Sequence, residues 1–356
     1  LAMKNLLYII LTTCLFASCS KQTANQMVVD SNNNCSTSNH TCEYTFTEMN
    51  GVSFENVSYA INNSHIDPIK NINATWITTM PFAFVQNGDD SVQYNSNFQW
   101  YGETRAGVID IINLCHQEGL KVMVKPHIWA IGTWVGAINY QTEAEWQTFE
   151  ESYKNYILDF AFVADSMNAE SFCIGVELKQ VVINRPTFWN SLIDSVRLVY
   201  GGTITYAANW DNYQNVTFWD KLDFIGVDAY FPVSSEQTPS FESCFEGWEN
   251  DYNDLKELSQ STNKKVVFTE FGYRNIDYTG LEPWNEENNT SFNSLAQENA
   301  YNALFCRFWG EPWFNGGFLW KWHPDDNNSG GVNNNRFTPQ NKPVESIISQ
   351  VFEQTN

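Results

Sequence analysis

The segment that decides the fold class is VIDIINLCHQEGLKVMVKPH, residues 108–127. Its first half carries four apolar residues at helical spacing, which are Val108, Ile111, Ile112 and Cys115. Gly119 follows at a position typical of a helix end, and from Leu120 onward the chain is a short apolar run that suits a strand buried on both faces. A helix that leads at once into a buried strand indicates a parallel sheet with crossover helices.

The same alternation extends along most of the chain. Eight strands are predicted, at 51–54, 76–82, 120–127, 171–177, 203–208, 224–230, 265–270 and 317–322. A doubly wound open sheet is the alternative, but it would need a Gly-rich phosphate loop after a strand, and the sequence has none. The pattern therefore predicts an α/β fold, a single (β/α)8 (TIM) barrel over residues 44–356.

The N-terminus has the pattern of a secretion signal. Lys4 precedes an apolar run at 6–17 that is too short to span a bilayer. The sequence Phe-Ala-Ser-Cys at 16–19 resembles the lipobox of bacterial lipoproteins, which implies a signal peptide at 1–18 and lipidation of Cys19. The alternative is an ordinary secretory signal that is cleaved nearby.

Residues 19–43 are rich in Ser, Asn and Thr and poor in aliphatic residues, so we expect a flexible tether between the lipid and the barrel. The expected location is the bacterial cell envelope, with the protein facing the periplasm or the cell surface. Membrane contact is expected only through the lipid anchor. Six cysteines remain after Cys14 and Cys19; Cys35 and Cys42 could pair in the tether, but the sequence does not determine the pairing.

Charge and composition exclude several kinds of partner. The formal net charge of −22 repels phosphate backbones and acidic glycans, so nucleic acid is not expected to bind. The five histidines have no metal-binding spacing, and no pair of cysteines has the spacing of a zinc ribbon. We expect neither a metal ion nor another cofactor.

Two glutamates close predicted strands. Glu177 ends the apolar run Phe-Cys-Ile-Gly-Val at 172–176, and Glu270 ends Val-Val-Phe-Thr at 266–269. In a barrel of this kind the active site lies at the carboxyl ends of the strands, and strands four and seven lie on opposite sides of the ring. Glycoside hydrolysis needs two carboxyl groups that face each other across the scissile bond, one protonated and one ionised. A buried ion pair is the structural alternative for each glutamate alone.

The wider pattern resembles clan A glycoside hydrolases, and within that clan it is similar to glycoside hydrolase family 113, which consists mainly of β-1,4-mannanases. The similarity runs from about Phe46 to the C-terminus. Five ordered motifs carry it: Lys-Pro-His at 125–127, Gly-Val-Glu-Leu-Lys at 175–179, Asp-Phe-Ile-Gly-Val-Asp-Ala-Tyr at 223–230, Thr-Glu-Phe-Gly-Tyr-Arg at 269–274 and Leu-Trp-Lys-Trp at 319–322.

The resemblance implies roles for individual residues. Glu177 becomes the general acid/base and Glu270 the nucleophile, with Tyr230 as the hydrogen-bond donor that orients Glu270. Trp320 becomes the floor of the subsite that holds the sugar under attack, although plain packing in the barrel is an equal alternative for this residue.

Five further residues close strands and are candidates for contacts with sugar hydroxyls: Lys125, His127, Asn209, Trp210 and Asp228. Lys125 could instead be a structural ion-pair partner. Val176 stands where many clan A enzymes have the Asn that contacts the sugar 2-hydroxyl, and family 113 also lacks that Asn. The contact would then come from Asn209 or His127.

The expected function is retaining hydrolysis of β-1,4-mannosidic bonds in mannan or manno-oligosaccharides by double displacement, as in an endo-β-1,4-mannanase. This mechanism predicts a raised pKa for Glu177. The partner is a neutral β-linked polysaccharide or oligosaccharide. The alternatives are a hydrolase of another neutral β-glycan, such as a β-glucan, and a non-catalytic glycan-binding lipoprotein. Loops at 133–140 and 277–289 could wall off the cleft.

Overall fold

The computed structural model describes residues 41–286 and 291–356, so the predicted signal peptide, Cys19 and Cys35 lie outside the described residues. The described strands are β1 (Met49–Phe54), β2 (Trp76–Thr79), β3 (Phe82–Gln86), β4 (Lys121–Val124), β5 (His127–Ile131), β6 (Ser171–Val176), β7 (Thr203–Asn209), β8 (Ile225–Asp228), β9 (Val266–Phe271) and β10 (Phe314–Trp322). All of them except β3 and β5 form one closed barrel of parallel strands, in the order β1-β10-β9-β8-β7-β6-β4-β2. The predicted (β/α)8 barrel is confirmed.

Helices connect the barrel strands. They are α1 (Asn63–Asn71), α2 (Arg105–Gln117), α3 (Glu143–Ser166), α4 (Lys179–Asn184), α5 (Pro186–Val199), α6 (Phe241–Gly247), α7 (Glu249–Thr262), α8 (Ser294–Phe308) and α9 (Val344–Thr355). The predicted capping box starts α3, where the Glu145 amide donates to Thr142 Oγ1 and the Thr142 amide donates to Glu145 Oε2. In the part of the chain that the structure describes, no helix is both long enough and apolar enough to cross a membrane.

Two apolar layers hold the barrel together. Side chains alternate along each strand, so successive residues contribute to opposite faces. In β4, for example, Met123 belongs to a small apolar cluster with Trp76 and Phe318, whereas Val122 and Val124 belong to the large cluster that the helices share. Burial on both faces explains why the strands are continuous apolar runs in the sequence.

The predicted strands at 76–82 and 120–127 are too long by comparison with the structure, because each is divided by a proline. β2 ends at Thr79 before Pro81, and β4 ends at Val124 before Pro126. Proline has no amide hydrogen and cannot donate to a sheet ladder. The chain then resumes as β3 and β5, which pair in parallel as a separate two-stranded sheet beyond the barrel strands.

A disulfide joins the start of the barrel domain to α8. Cys42 is bonded to Cys306, which is 264 residues away in the sequence. Cys115, Cys173 and Cys244 are buried free thiols. The suggested pairing of Cys35 with Cys42 is therefore wrong, because the fold brings Cys306 to Cys42.

We expect Cys306→Ser to lower the thermal midpoint of unfolding. Cross-linking a loop of this length contributes roughly 5 kcal/mol in the chain-entropy model, which corresponds to a fall of about 10 °C. Differential scanning calorimetry with and without reductant measures the change in this midpoint. Reductant should lower the midpoint of the parent protein and leave that of Cys306→Ser unchanged, and a parent midpoint that does not respond to reductant contradicts the expectation.

Candidate active site

Glu270 is held at both carboxylate oxygens. It lies near the end of β9 and is almost completely buried. Lys125 Nζ donates to Glu270 Oε1 at 2.6 Å, and the Tyr230 hydroxyl donates to Glu270 Oε2 at 2.9 Å. Lys125 follows β4 and Tyr230 follows β8, so two other strand ends fix the orientation of this carboxylate.

Lys125 uses all three of its N–H donors inside the protein. Besides Glu270, it donates to Asp228 Oδ1 and to the Thr269 carbonyl oxygen, both at 3.2 Å. The Thr269 hydroxyl also donates to Asp228 Oδ1, at 2.8 Å. The side chains of Lys125 and Asp228 are fully buried. The lysine therefore has no free donor, which is against its expected contact with a sugar hydroxyl. The expected contact of Asp228 stays a prediction, since its Oδ2 atom has no hydrogen-bond partner among the described residues.

Glu177 has a different environment. It follows β6, and its backbone has a φ of +52°, a left-handed conformation that is costly for a residue with a side chain. The Glu177 amide donates to the Ala207 carbonyl at 2.8 Å, which fixes this turn. Trp134 Nε1 donates to Glu177 Oε2 at 3.1 Å. Among the described residues, no Lys, Arg or His forms an ion pair with Glu177.

The charges of the site are unbalanced, with Lys125 as the cation that faces three carboxyl groups. Burial, followed by repulsion from Asp228 and Glu270, raises the pKa of Glu177 to about 8. Burial and Asp228 also raise the pKa of Glu270, but Lys125 and Tyr230 oppose them and the pKa rises less, to about 7. Burial lowers the pKa of Lys125, yet the two neighbouring carboxylates outweigh it and keep the ammonium charged. As the pH rises, Glu270 therefore ionises before Glu177.

His127 and Trp320 lie beside Glu270. His127 Nε2 is 3.8 Å from Glu270 Oε1, and this buried nitrogen has no hydrogen-bond partner in the part of the chain that the structure describes. The imidazole ring stacks on the Trp320 ring, with centroids 6.1 Å apart and planes at 22°. Burial, then the charges of Lys125 and Lys321, holds the pKa of His127 well below its usual range, so the imidazole is neutral.

Asn209 and Trp210 close β7 and are partly exposed. In the sheet register, Asn209 is the partner of Asp228. The Trp210 ring stacks on Trp284, with centroids 4.7 Å apart and planes at 18°. Trp284 belongs to the loop at 277–289, whose residues 287–289 lie outside the described part of the chain.

Glu177 and Glu270 thus lie at the carboxyl ends of two barrel strands, where the active site of such a barrel is found. A comparison with protein-family models gives a match to glycoside hydrolase family 113 over residues 44–342. The chain belongs to glycoside hydrolase family 113. The resemblance drawn from the five sequence motifs is confirmed, and the family 113 protein is a glycoside hydrolase.

Solved structures give the same fold. The family 113 β-mannanase from Alicyclobacillus acidocaldarius, in complex with ManMIm, has a TM-score of 0.76 at 23% identity and covers 87% of this chain and 99% of its own. A complex of a family 113 β-1,4-mannanase has a TM-score of 0.75 at 22% identity, with 86% and 99% covered. The β-glucuronidase from Ruminococcus gnavus is more distant, at TM-score 0.58 and 12% identity, with 86% and 50% covered. A comparison with curated proteins found no significant match.

A cavity of about 170 Å³ opens next to Trp320 in the family 113 hydrolase. Its lining is Glu286, Trp320, Lys321, His323, Arg336, Phe337 and Thr338. Glu55 braces one wall by accepting hydrogen bonds from Lys321 Nζ and His323 Nδ1. Burial alone raises the pKa of Glu55, but these two partners lower it to about 2, so Glu55 stays ionised. No group of three or more His, Cys, Asp or Glu side chains arranged to hold a metal ion occurs within 41–286 or 291–356.

Several residues of the site were not identified from the sequence. For Trp134 the sequence supported only the prediction that its loop could wall off the cleft. Thr269 was not predicted as a site residue, because it precedes Glu270 in an apolar run. Gly136 has an indirect part, because a Cβ atom there would lie 2.2 Å from the Trp134 ring. The signal for Trp134 was an exposed tryptophan in a Gly-rich loop next to a predicted strand end.

We expect Trp134→Phe to raise the pKa of Glu177. The indole N–H can only donate, so it stabilises the ionised carboxylate, and its removal should shift the pKa upward by about one unit. Carbon-13 NMR of protein labelled at the glutamate carboxyl carbons measures the shift, with Glu177→Gln to assign the signal. Gly136→Ala should give a similar shift by displacing the ring, while Trp129→Phe should give none. An unchanged pKa in both Trp134→Phe and Gly136→Ala would show that the contact has no electrostatic effect.

Proposed function

We propose that this hydrolase cleaves β-1,4-mannosidic bonds with retention of configuration, through a covalent glycosyl intermediate on Glu270. The proposal is based on the different hydrogen-bond partners of the two glutamates. Glu270 has a cation and a phenol on its two oxygens, whereas Glu177 has an indole N–H and no cation. One carboxyl group is thus prepared to be ionised and the other to be protonated at the same pH.

Glu270 is the nucleophile in this mechanism. Lys125 and Tyr230 fix the carboxylate plane and favour its ionised form, because both donate hydrogen bonds to it. One oxygen attacks the anomeric carbon while the glycosidic C–O bond breaks and Glu177 protonates the leaving oxygen. The glycosyl ester that forms carries no charge, and attack of water on the same carbon later releases the Glu270 carboxylate. Lys125 retains Asp228 as its counterion throughout, so the buried ammonium is never left unpaired.

Glu177 is the acid and then the base. Its raised pKa keeps a proton available for the leaving oxygen. Once Glu270 is esterified, one of the charges that repel ionisation of Glu177 has gone, so the pKa of Glu177 falls and the carboxylate can deprotonate water. The indole N–H of Trp134 favours this ionised form in the second step. Activity therefore rises as Glu270 ionises and declines as Glu177 loses its proton.

Similar solved structures and the residues that line the site support this substrate class. Two structures of the same fold are family 113 β-1,4-mannanases, and a third is a family 113 β-mannanase. Trp320 offers a half-buried ring for the C–H face of a sugar, and the neutral His127 offers an unpaired nitrogen to a hydroxyl. Val176 contributes only an apolar side chain before Glu177, so His127 or Asn209 supplies the contact with the 2-hydroxyl. The net charge of −22 disfavours acidic glycans.

The test is digestion of linear β-1,4-mannan and mannohexaose by the protein from Cys42 onward. We expect wild type to release manno-oligosaccharides, and Glu177→Ala and Glu270→Ala each to lose at least about 10³-fold in kcat/KM. Proton NMR of the first product should show the β anomer, because retention preserves the configuration. Glu257→Ala, on the outer helix α7, is the matched control and should retain activity.

Different outcomes of the digestion test different parts of this proposal. An α anomer as the first product contradicts double displacement. Retained turnover in Glu270→Ala contradicts the role of that residue. No release from mannan, with release from β-glucan or xylan, contradicts the substrate but keeps the carboxylate roles. No release from any of these polymers favours a non-catalytic glycan-binding protein.

We also propose that the hydrolase is lipid-anchored at Cys19 in the bacterial cell envelope. The lipobox-like sequence at 16–19 supports this location. The Cys42–Cys306 disulfide supports it independently, because structural disulfides persist in oxidising compartments such as the periplasm and the cell surface.

The anchor predicts where the protein is found in a bacterial host. Wild type should incorporate radiolabelled palmitate and sediment with the membranes, because two or more acyl chains bind a bilayer firmly. Cys19→Ala should incorporate none and appear in the soluble fraction. Cys35→Ala is the matched control and should behave as wild type. Labelling of Cys19→Ala, or a soluble wild type, contradicts the anchor.

A further inference from the structure

We propose that the sheet of β3 and β5 carries an extended binding surface for a neutral β-linked glycan chain, continuous with the catalytic cleft. We name it the aromatic strip and define it by Trp320, His127, Phe82 and Trp129. The inference rests on the proposed function, since it extends the same site outward along the substrate.

The course of the backbone in β3 and β5 determines where the aromatic strip lies. Pro81 and Pro126 separate β3 and β5 from the barrel strands that precede them, so the two strands continue past the barrel. Their register pairs Phe82 with His127 and Phe84 with Trp129. In parallel strands, directly paired residues project to the same face, and alternate residues along each strand share it. The opposite face is buried in the main core through three residues, Ala83, Val85 and Ile128.

The rings of the strip form an unbroken series. Trp320 stacks on His127, as described above. The His127 and Phe82 centroids are 5.0 Å apart, and those of Phe82 and Trp129 are 6.3 Å apart. The series therefore starts at Trp320, passes His127, whose Nε2 atom is 3.8 Å from Glu270 Oε1, and ends at the exposed Trp129.

The outer end of the strip is exposed. The exposed fraction of Trp129 is 59%, and that of Ile131, two residues further on β5, is 42%. A large apolar side chain exposed on a regular strand contributes nothing to the core, and contiguous exposed apolar side chains mark binding surfaces. The other face of the same strands shows that these segments can bury apolar groups where the fold requires it.

The inner end of the strip has an unmet hydrogen bond. His127 Nε2 is buried and has no partner among the described residues, at 3.8 Å from Glu270 Oε1. A buried polar atom without a partner is costly, so a ligand hydroxyl at this position would be favourable. The strip thus combines apolar faces with a hydroxyl-binding nitrogen.

This combination favours a neutral sugar chain over other ligands. Pyranose rings offer C–H faces to aromatic side chains and hydroxyls to polar atoms. Neither β3 nor β5 contains an Asp, Glu, Lys or Arg, so the outer part of the strip has no charged side chain on its own strands. At the inner end, the Lys321 ammonium lies 5.7 Å from the centroid of the Trp320 ring. A second copy of the chain is the alternative occupant. Each copy has a net charge of −22, so the two copies would repel each other at this contact.

The experiment compares Trp129→Ala with wild type on substrates of different length. We expect the ratio of kcat/KM for mannohexaose to that for mannotriose to fall about tenfold, equivalent to 1.4 kcal/mol, because the longer chain reaches the rim. Phe82→Ala should lower the same ratio. Phe162→Ala is the matched control, because that ring is 57% exposed on α3, and its ratio should equal that of wild type.

A binding measurement separates failure of the strip from failure of the proposed substrate. Glu270→Gln and the double variant Glu270→Gln with Trp129→Ala are run through native gels that contain mannan, β-glucan or xylan. Retardation of Glu270→Gln by any of these polymers, lost in the double variant, supports the strip even if mannan is not the substrate. Equal retardation of the two proteins, no retardation in any gel, or an unchanged length ratio overturns the strip. A wild-type dimer that Trp129→Ala converts to a monomer in light scattering also overturns it, since a second copy would then cover the surface.

Discussion

The active site depends on the buried ammonium group of Lys125. Three strand ends meet at this atom, because it binds Glu270, Asp228 and the Thr269 carbonyl oxygen while it follows β4 itself. Without it, two carboxylates would lie in an apolar interior with no counterion, and breaking such a pair typically costs about 3–5 kcal/mol. The same cation lowers the pKa of Glu270 relative to Glu177. A single network of ion pairs thereby fixes the geometry of the barrel mouth and sets the difference in pKa between the two glutamates.

Glu177 is held by the backbone and by one loop. Its left-handed conformation costs about 1–3 kcal/mol and is maintained by the neighbouring strand through the Ala207 carbonyl. The Trp134 ring reaches Glu177 across Gly136, where a side chain would collide with the ring. Strain and close approach thus occur next to Glu177, the carboxyl group to which the proposed mechanism assigns a change of protonation.

Two prolines separate the barrel strands from the small sheet that carries the proposed strip. Pro81 and Pro126 end the barrel pairing of β2 and β4, and the chain then forms a second, smaller sheet instead of a loop. A sheet positions side chains more rigidly than a loop does, so Phe82, His127 and Trp129 keep a fixed spacing from Trp320. The proposed strip and the catalytic pair are in this way parts of one framework.

The fold class and the positions of the two glutamates at strand ends could be predicted from the amino-acid sequence alone. Burial on both faces makes each barrel strand a continuous apolar run, and a carboxylate that ends such a run is conspicuous because burying it is costly. Strand ends were less certain, since 76–82 and 120–127 looked continuous although a proline divides each.

The contact partners of the site residues and of Cys42 are known only from the fold. Lys125 looked like a possible sugar ligand until the fold placed it against Asp228, 103 residues away in the sequence. Cys306 was brought to Cys42 in the same way, and Trp134 to Glu177. These contacts join residues far apart along the chain, and a local pattern carries no information about which distant side chain will lie opposite.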